Sequence, residues 1–509
     1  MDNRQILNLS TNFVYISIST IISLLLVPFM IKQLGPEAYG FIPLSQQLIN
    51  YMIVITMALN SMISRYFTIE YKTGKIDDAK EYFNTSLFTA IIMTIVLIIP
   101  IIIGAILIDQ IFVIPTELIT DVRWTFMLLG GIFLFNTIKV TFDTAPFCTN
   151  KLYILNLFNT VNNIVKSLLI FSLLKFFMPH IWMVSFTNLI TVFLSLITSI
   201  YVFKRIMPEI RIVPKCNVVK LKKLLFSGAW VSFNLVGSML FLQIDLIVAN
   251  WNLGPHLTGE YSAVLQWPML LRTFSDSIVP MFVPTVVAHY AEKNIETLST
   301  YVNSSVKFFG LFLSLPIGLV CSMSGPLLSL WLSPSFGQYN WLLSLMTIHL
   351  AVNLPSSILM SVQLAADKVK FPAIVTFIMG IGNFCLAYLL SGMMGFGAYG
   401  IAGAGAIVLT IKNLIFTPLY CSHITGQKKM IFLKGIMFPI IASTLIIISG
   451  FVGQAFFQID TWNKFIFSSF VISIMYLAFT FFVLLTGEER KRAMTTICLL
   501  LKKEKLVSI

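Results

Sequence analysis

Charge is scarce in this sequence. Only 11% of its 509 residues are charged, against 57% hydrophobic, whereas a soluble domain usually carries about 25% charged residues. So few charges cannot coat a water-facing surface, which excludes an ordinary soluble enzyme. Long polar segments are missing too. The longest break between apolar runs is Lys204 to Leu224, so no separate soluble domain is expected. The six cysteines form no C-x-x-C pair and mostly sit in or beside apolar runs, which argues for small packing residues and against a disulfide or metal framework. There is no G-x-x-x-x-G-K-[ST] phosphate loop, no H-E-x-x-H and no G-x-S-x-G. The five histidines, His180, His256, His289, His349 and His423, lack ligand spacing. Without these signatures, no enzymatic activity, metal or cofactor is expected, and transport would be driven by ion coupling or by the substrate gradient.

What the sequence does have is apolar length. A membrane-spanning helix needs about 20 apolar residues, and 509 residues hold about a dozen with short loops. Fourteen helices are expected, at roughly 10–33, 39–63, 82–108, 123–147, 153–175, 181–203, 225–251, 258–288, 304–331, 340–364, 371–393, 399–423, 435–457 and 464–486. The first apolar run, Phe13 to Ile31, is too long for a signal-peptide core and lacks a small-residue cleavage site, so it reads as a retained span. Prolines such as Pro28, Pro43, Pro316 and Pro355 kink helices where neighbours or water satisfy the freed carbonyls. The fold class is an all-α polytopic membrane protein.

The net charge of +13 would point to nucleic acid on a soluble protein. Here the basic residues mark orientation instead. With the N-terminus inside, 25 of the 34 basic residues fall in inside segments and 4 outside, a strong positive-inside asymmetry. Both termini are expected in the cytoplasm, and no nucleic-acid partner is expected. The tail from Glu488 to Ile509 alternates basic clusters with the apolar run Ile497 to Leu501. It reads equally as a segment along the anionic inner leaflet or as a frayed basic end.

A shift of 219 residues lays the sequence on itself without a gap. Leu34-Gly35-Pro36 falls on Leu253-Gly254-Pro255, Gly40 on Gly259, and Gln47 on Gln266. Met62 meets Met281, Tyr71 meets Tyr290, Ile76 meets Ile295, and Tyr82, Asn84 and Ser86 meet Tyr301, Asn303 and Ser305. The copies start at helices one and seven, so six helices separate them. Six is even, so both copies enter the membrane in the same sense. That is a parallel repeat about an axis along the membrane normal. The expected organisation is two pseudo-symmetric six-helix lobes, 1–203 and 225–424, joined by a cytoplasmic linker, 204–224. A hairpin of helices thirteen and fourteen (425–486) and a basic cytoplasmic tail (487–509) follow.

Five basic residues remain inside helices: Lys139, Lys166, Arg272, Lys307 and Lys412. Lys307 is close enough to its helix end to snorkel to the inside surface. The deep acids are Asp143, Asp245 and Asp276. Each such charge costs about 2.5–3.5 kcal/mol in the bilayer, so they should face a wet interior. Lys139 with Asp143, and Arg272 with Asp276, are spaced i,i+4 on one helix face. Each reads either as a neutralising bridge or as part of a site. Lys139, Lys166, Arg272 and Lys412 are the candidate substrate-binding cations. Asp143, Asp245 and Asp276 are candidates for ion coupling or charge pairing. Asn159, Asn162 and Asn163 share a helical face with Lys166, and Gln243 accompanies Asp245. These amides would line a cavity that takes sugar hydroxyls, or would tie helices together.

The stretch Leu34-Gly35-Pro36-Glu37-Ala38-Tyr39-Gly40 resembles the L-G-x-x-x-[YF]-G motif of bacterial polysaccharide and O-antigen flippases, and Arg65-Tyr66-Phe67 through Asn84 resembles them as well. Those proteins belong to the multidrug, oligosaccharidyl-lipid and polysaccharide exporter superfamily, and the resemblance runs over about the first 450 residues. It implies a two-lobe transporter with a cationic cavity. Its substrate would be undecaprenyl-pyrophosphate-linked oligosaccharide, flipped across a bacterial cytoplasmic membrane by alternating access for surface polysaccharide such as lipopolysaccharide. Implied partners are that lipid-linked oligosaccharide, the membrane lipids and polysaccharide-polymerising machinery. Fourteen helices also fit a lipid II-type flippase. An ion-coupled multidrug or small-molecule antiporter on the same fold is the main alternative. A glycan polymerase or ligase should show a large outer loop, which is missing.

Overall fold

The computed structural model describes residues 3–213 and 215–491; the tail from Arg492 onward lies outside the described residues. Among them the regular structure is helical throughout. Fourteen stretches are long and apolar enough to cross a membrane: α1 Leu7–Leu34, α2 Pro36–Lys72, α3 Ile76–Ile111, α4 Thr116–Cys148, α5 Leu152–Phe176, α6 Ile181–Ile206, α7 Leu235–Val264, α8 Gln266–Ala291, α9 Ile295–Ser322, α10 Pro334–Ala365, α11 Lys370–Met393, α12 Gly397–Ile424, α13 Leu433–Phe456 and α14 Trp462–Leu484. This matches the number read from hydropathy. The seventh stretch is the least regular. A helix Val218–Leu242 leads into it, the chain loosens at Gln243, and a new helix starts at Asp245.

The 219-residue register reappears in the backbone. Gly35 (φ 82°) and Gly254 (φ 79°) both adopt the left-handed conformation that costs other residues a clash at Cβ. Each is followed by proline, whose fixed φ suits the first turn of a helix. Gly74 (φ 79°) and Lys293 (φ 55°) form the next equivalent turn, and helices restart at Ile76 and Ile295. Gly40 and Gly259 also touch: a Cβ on Gly40 would stand 2.6 Å from the Gly259 Cα. Equivalent residues in mutual contact lie on the local symmetry axis.

Packing sorts the chain into two compact units: Met1–Gln266 with Lys370–Val408, and Trp267–Val369 with Leu409–Ile509. These do not coincide with the six-helix lobes, because residues 218–264 and α11 pack with the first six helices. The repeat tells which segments share a sequence, and the units tell which segments pack.

In the first unit the end of α2 and the start of α3 carry an aromatic cluster. Phe67 and Phe83 are fully buried, and Phe83 stacks on Phe203 at 4.3 Å. The linker is held against the start of α3. The Asn84 amide donates to the Arg211 carbonyl at 3.1 Å and accepts from the Val213 N–H at 2.8 Å. The Asn217 N–H donates to Thr85 Oγ1 at 3.0 Å. Lys220 pairs with Asp78 at 2.7 Å and Glu81 at 2.9 Å. Partial burial pulls the Lys220 ammonium down, but the two carboxylates outweigh it and hold its pKa above the ordinary lysine value.

In the second unit α9 lies along α13, with small residues at the crossings, as in other membrane bundles. Gly310 faces Pro439, Gly318 faces Ile446, and Gly450 faces Ser322. The C-terminal hairpin is therefore built into this unit. Lys307 does not snorkel. It is only 6% exposed, sits 4.2 Å from the centre of the Phe438 ring, and pairs with Glu489 at 2.7 Å. The partner comes from beyond the last span, which nothing local in the sequence announces.

Candidate functional site: two polar interiors

In the first unit α4, α5 and α6, with Tyr15 of α1, line an open polar cavity of about 150 Å³, to which Asn136, Lys139, Asn159, Asn162, Asn163 and Lys166 contribute, with Asn188, Thr191 and Ser195 from α6. Two adjoining cavities of about 240 and 260 Å³ share its walls through Asn136 in one case and Lys166 and Asn188 in the other, and share Gln46 with each other. The expected face of α5 thus does line a cavity. Lys166 lies fourteen residues beyond Leu152, about 21 Å along the helix at 1.5 Å per residue.

The two lysines differ. Lys139 Nζ meets Asp143 Oδ2 at 2.8 Å, and the other Asp143 oxygen accepts from Ser199 Oγ at 2.7 Å. Asp143 is spent on pairing. Among the described residues Lys166 has no acidic partner. The asparagines differ as well. Asn156 donates to Asn8 O at 3.4 Å and to Thr11 Oγ1 at 3.3 Å, and Asn163 donates to Ser19 Oγ at 2.7 Å. These two tie α5 to the first helix. Among the described residues the side-chain amides of Asn136, Asn159, Asn162 and Asn188 bond no protein group.

Asp245 and Gln243 sit at the break in the seventh stretch, not in this lining. Tyr261 Oη donates to Asp245 Oδ2 at 3.1 Å. Tyr51 is within electrostatic reach of Asp245, and the Tyr51 hydroxyl and Gln243 Oε1 are buried without hydrogen-bond partners. A carboxylate beside an interrupted membrane helix is a common setting for a coupling cation or proton.

The second unit contributes Arg272, Asp276 and Lys412. Arg272 of α8 lies within electrostatic reach of both Asp276 and His349. Lys412 is only 6% exposed and sits in a π-helical turn, Ile411–Phe416, a local irregularity frequent at functional sites. Next to it, Asn413 Nδ2 donates to Asn353 Oδ1 at 3.0 Å, and the Asn353 amide nitrogen lies 2.7 Å from His349 Nδ1. His349 itself interrupts α10 between Asn340–Ile348 and Leu350–Ser356.

Several lining residues escaped the sequence reading. Asn136 stands one turn from Lys139 on the same face, and Asn188, Thr191 and Ser195 share a face of α6 at i, i+3 and i+7. Those spacings were the available signals. His349 and Asn353 are spaced i,i+4 on α10, a further local signal; Asn413 gave none, because its bond to Asn353 depends on how α10 packs on α12.

Residues 8–288 match the family model described as "polysaccharide biosynthesis protein". The chain is 36% identical over 486 residues to "uncharacterized membrane protein EpsK" of Bacillus subtilis (strain 168), covering 95% of this chain and 96% of that protein. Among solved structures, an inward-facing multidrug resistance MATE family transporter of the MOP superfamily aligns with TM-score 0.66 at 15% identity, covering 83% of this chain and 99% of the other. The lipid II flippase MurJ in an inward closed conformation aligns with TM-score 0.62 at 16% identity, covering 92% and 98%. At such identities the structural likeness establishes the shared fold alone.

Proposed function

The chain belongs to the polysaccharide biosynthesis protein family, a family of multi-pass membrane proteins here built on a transporter fold, and from that premise we propose that it flips undecaprenyl-pyrophosphate-linked oligosaccharide across a bacterial cytoplasmic membrane. The observation that carries this reading is Lys166. A lysine without an acidic partner among the described residues, about 21 Å into a membrane helix, is costly unless it meets an anion in transit. The second unit contributes two further cations, Arg272 and the buried Lys412. Charge-assisted bonds from such groups to phosphate oxygens are the strong ones. Asp245, with Tyr51 and Tyr261 beside it, is the candidate for ion coupling, and Asp276 offsets Arg272. The parallel repeat supports alternating access, with both termini cytoplasmic. Polysaccharide-polymerising machinery would consume the product.

Deletion of the gene should make a lipid-linked glycan accumulate on the inner leaflet. Lys166→Ala and Lys412→Ala should each cut surface glycan about tenfold, the weight of one charge-assisted contact, at unchanged membrane abundance. Normal glycan in both variants sinks the proposal. The interrupted helix at Asp245 and the fold shared with the MATE transporter favour a second reading, an ion-coupled small-molecule antiporter. Its sign would be drug sensitivity of the deletion strain with intact glycan. Coverage of the MurJ fold favours a lipid II-type cargo, whose sign would be accumulation of a peptidoglycan precursor instead.

A further inference from the structure

Resting on that reading, we infer that the asparagine wall of the cavity between α4, α5 and α6 is a subsite for the uncharged saccharide of the cargo, with the phosphates toward Lys166, which also lines the adjoining cavity. The chemistry of the lining carries this. Phosphate oxygens only accept hydrogen bonds, so a phosphate site is built from donors: guanidinium, ammonium and backbone N–H groups. A carboxamide offers one acceptor for every pair of donors. An anion would use only the Nδ2 donors of Asn136, Asn159, Asn162 and Asn188 and leave their four carbonyl oxygens without partners. Hydroxyl and acetamido groups, which donate and accept at once, are the matching partners. Charge agrees with this. Lys139 is neutralised by Asp143 at 2.8 Å, which leaves Lys166 as the one cation of the lining without an acidic partner among the described residues. A single ammonium at the edge of four amides suits a sugar ring held beside the charge that Lys166 meets.

Tying helices together is the ordinary work of asparagine inside a membrane protein, and α5 contains its own control. Asn156 and Asn163 do that work, with bonds to Asn8, Thr11 and Ser19. Asn159 and Asn162, on the same helix, bond nothing in the protein among the described residues, and Asn136 and Asn188 oppose them from the neighbouring helices. Asn162 Nδ2 is buried without a partner, and a polar group withdrawn from water in that way is costly. Four amides that serve no packing role and face one cavity are arranged to exchange water for a ligand.

The test uses the full chain in phospholipid nanodiscs and three probes: undecaprenyl pyrophosphate, the same lipid bearing a neutral N-acetylhexosamine disaccharide, and the free disaccharide. The Asn136→Ala/Asn188→Ala variant should bind the sugar-bearing lipid about tenfold more weakly, two modest hydrogen bonds' worth, and the sugar-free lipid within about twofold of wild type. Asn136→Gln/Asn188→Gln, which keeps the carboxamides, should recover part of the loss and guards against misfolding. Equal losses on both lipids, no loss on either, or a wild type that binds neither the disaccharide nor the sugar-bearing lipid more tightly than the sugar-free one overturns the subsite. Failure of the flippase reading looks different: Lys412→Ala leaves both lipids bound as before while the asparagine variant still loses the disaccharide.

Discussion

The two copies of the 219-residue repeat keep the same frame and fill it differently. Both turn at a left-handed glycine followed by proline, at Gly35 and Gly254, and both restart a helix at Ile76 or Ile295. Yet Asn84 of the first copy grips the linker with two bonds, while Oδ1 of its counterpart Asn303 is buried with no hydrogen-bond partner. The apolar Phe88 of the first copy is matched by Lys307 in the second, which pairs with Glu489. Backbone geometry at the breaks has been retained, and side chains at equivalent places have been reassigned to whatever flanks each copy.

The largest expected effect breaks the comparison at its axis. Gly259→Ala drives a methyl group into the Pro36 carbonyl oxygen, and Gly40→Ala one toward the Gly259 backbone. Backbone cannot yield as a side chain can, so Gly259→Ala should cost about 3 kcal/mol or more, seen as lost folded protein in detergent melting curves. A melting temperature within a degree or two of wild type would show that the two copies do not meet as described.

Next, Lys307→Met makes this position apolar, as Phe88 makes its counterpart, with little change of side-chain length. It strands Glu489 and should cost about 3 kcal/mol, while Lys307→Met with Glu489→Leu should recover most of the loss. Burial pushes the Glu489 carboxyl up, but Lys307 and the Thr486 N–H outweigh it and hold the pKa below the usual glutamate range. A depressed carboxylate stabilises fully above its unfolded pKa of about 4.3 and loses that contribution as pH falls through the depressed value. The wild type should therefore lose melting temperature in acid more steeply than the double variant. Parallel acid profiles would refute the pairing.

The smallest effect is the most discriminating. Asn84→Ala releases two backbone groups and should cost about 2 kcal/mol. Asn303→Ala, at the equivalent position, should change stability by no more than about 0.5 kcal/mol. Equal losses would mean that the second copy grips its neighbourhood as the first does.

Much of the frame was legible because it depends on local chemistry. Hydropathy delivers fourteen spans, and Gly254, in the expected gap between helices seven and eight, is a left-handed break inside α7. The i,i+4 spacing of Lys139 and Asp143 did become a bridge, and the polar face of α5 did line a cavity. What stayed hidden depends on packing between distant segments. Glu489 against Lys307, Asn413 against Asn353, and Asn136 and Asn188 against α5 share no local period. The grouping of residues 218–264 with the first six helices was hidden for the same reason, since hydropathy does not say which neighbour a helix chooses.

The grip of Asn84, Thr85, Asp78 and Glu81 on the linker has a mechanical consequence. A connection of this length left loose would be slack, able to absorb displacement at either end. Fastened at several points along its course, it acts as a strut. Any shift of the Val218–Leu242 helix must then drag the start of α3 with it or first shear those bonds.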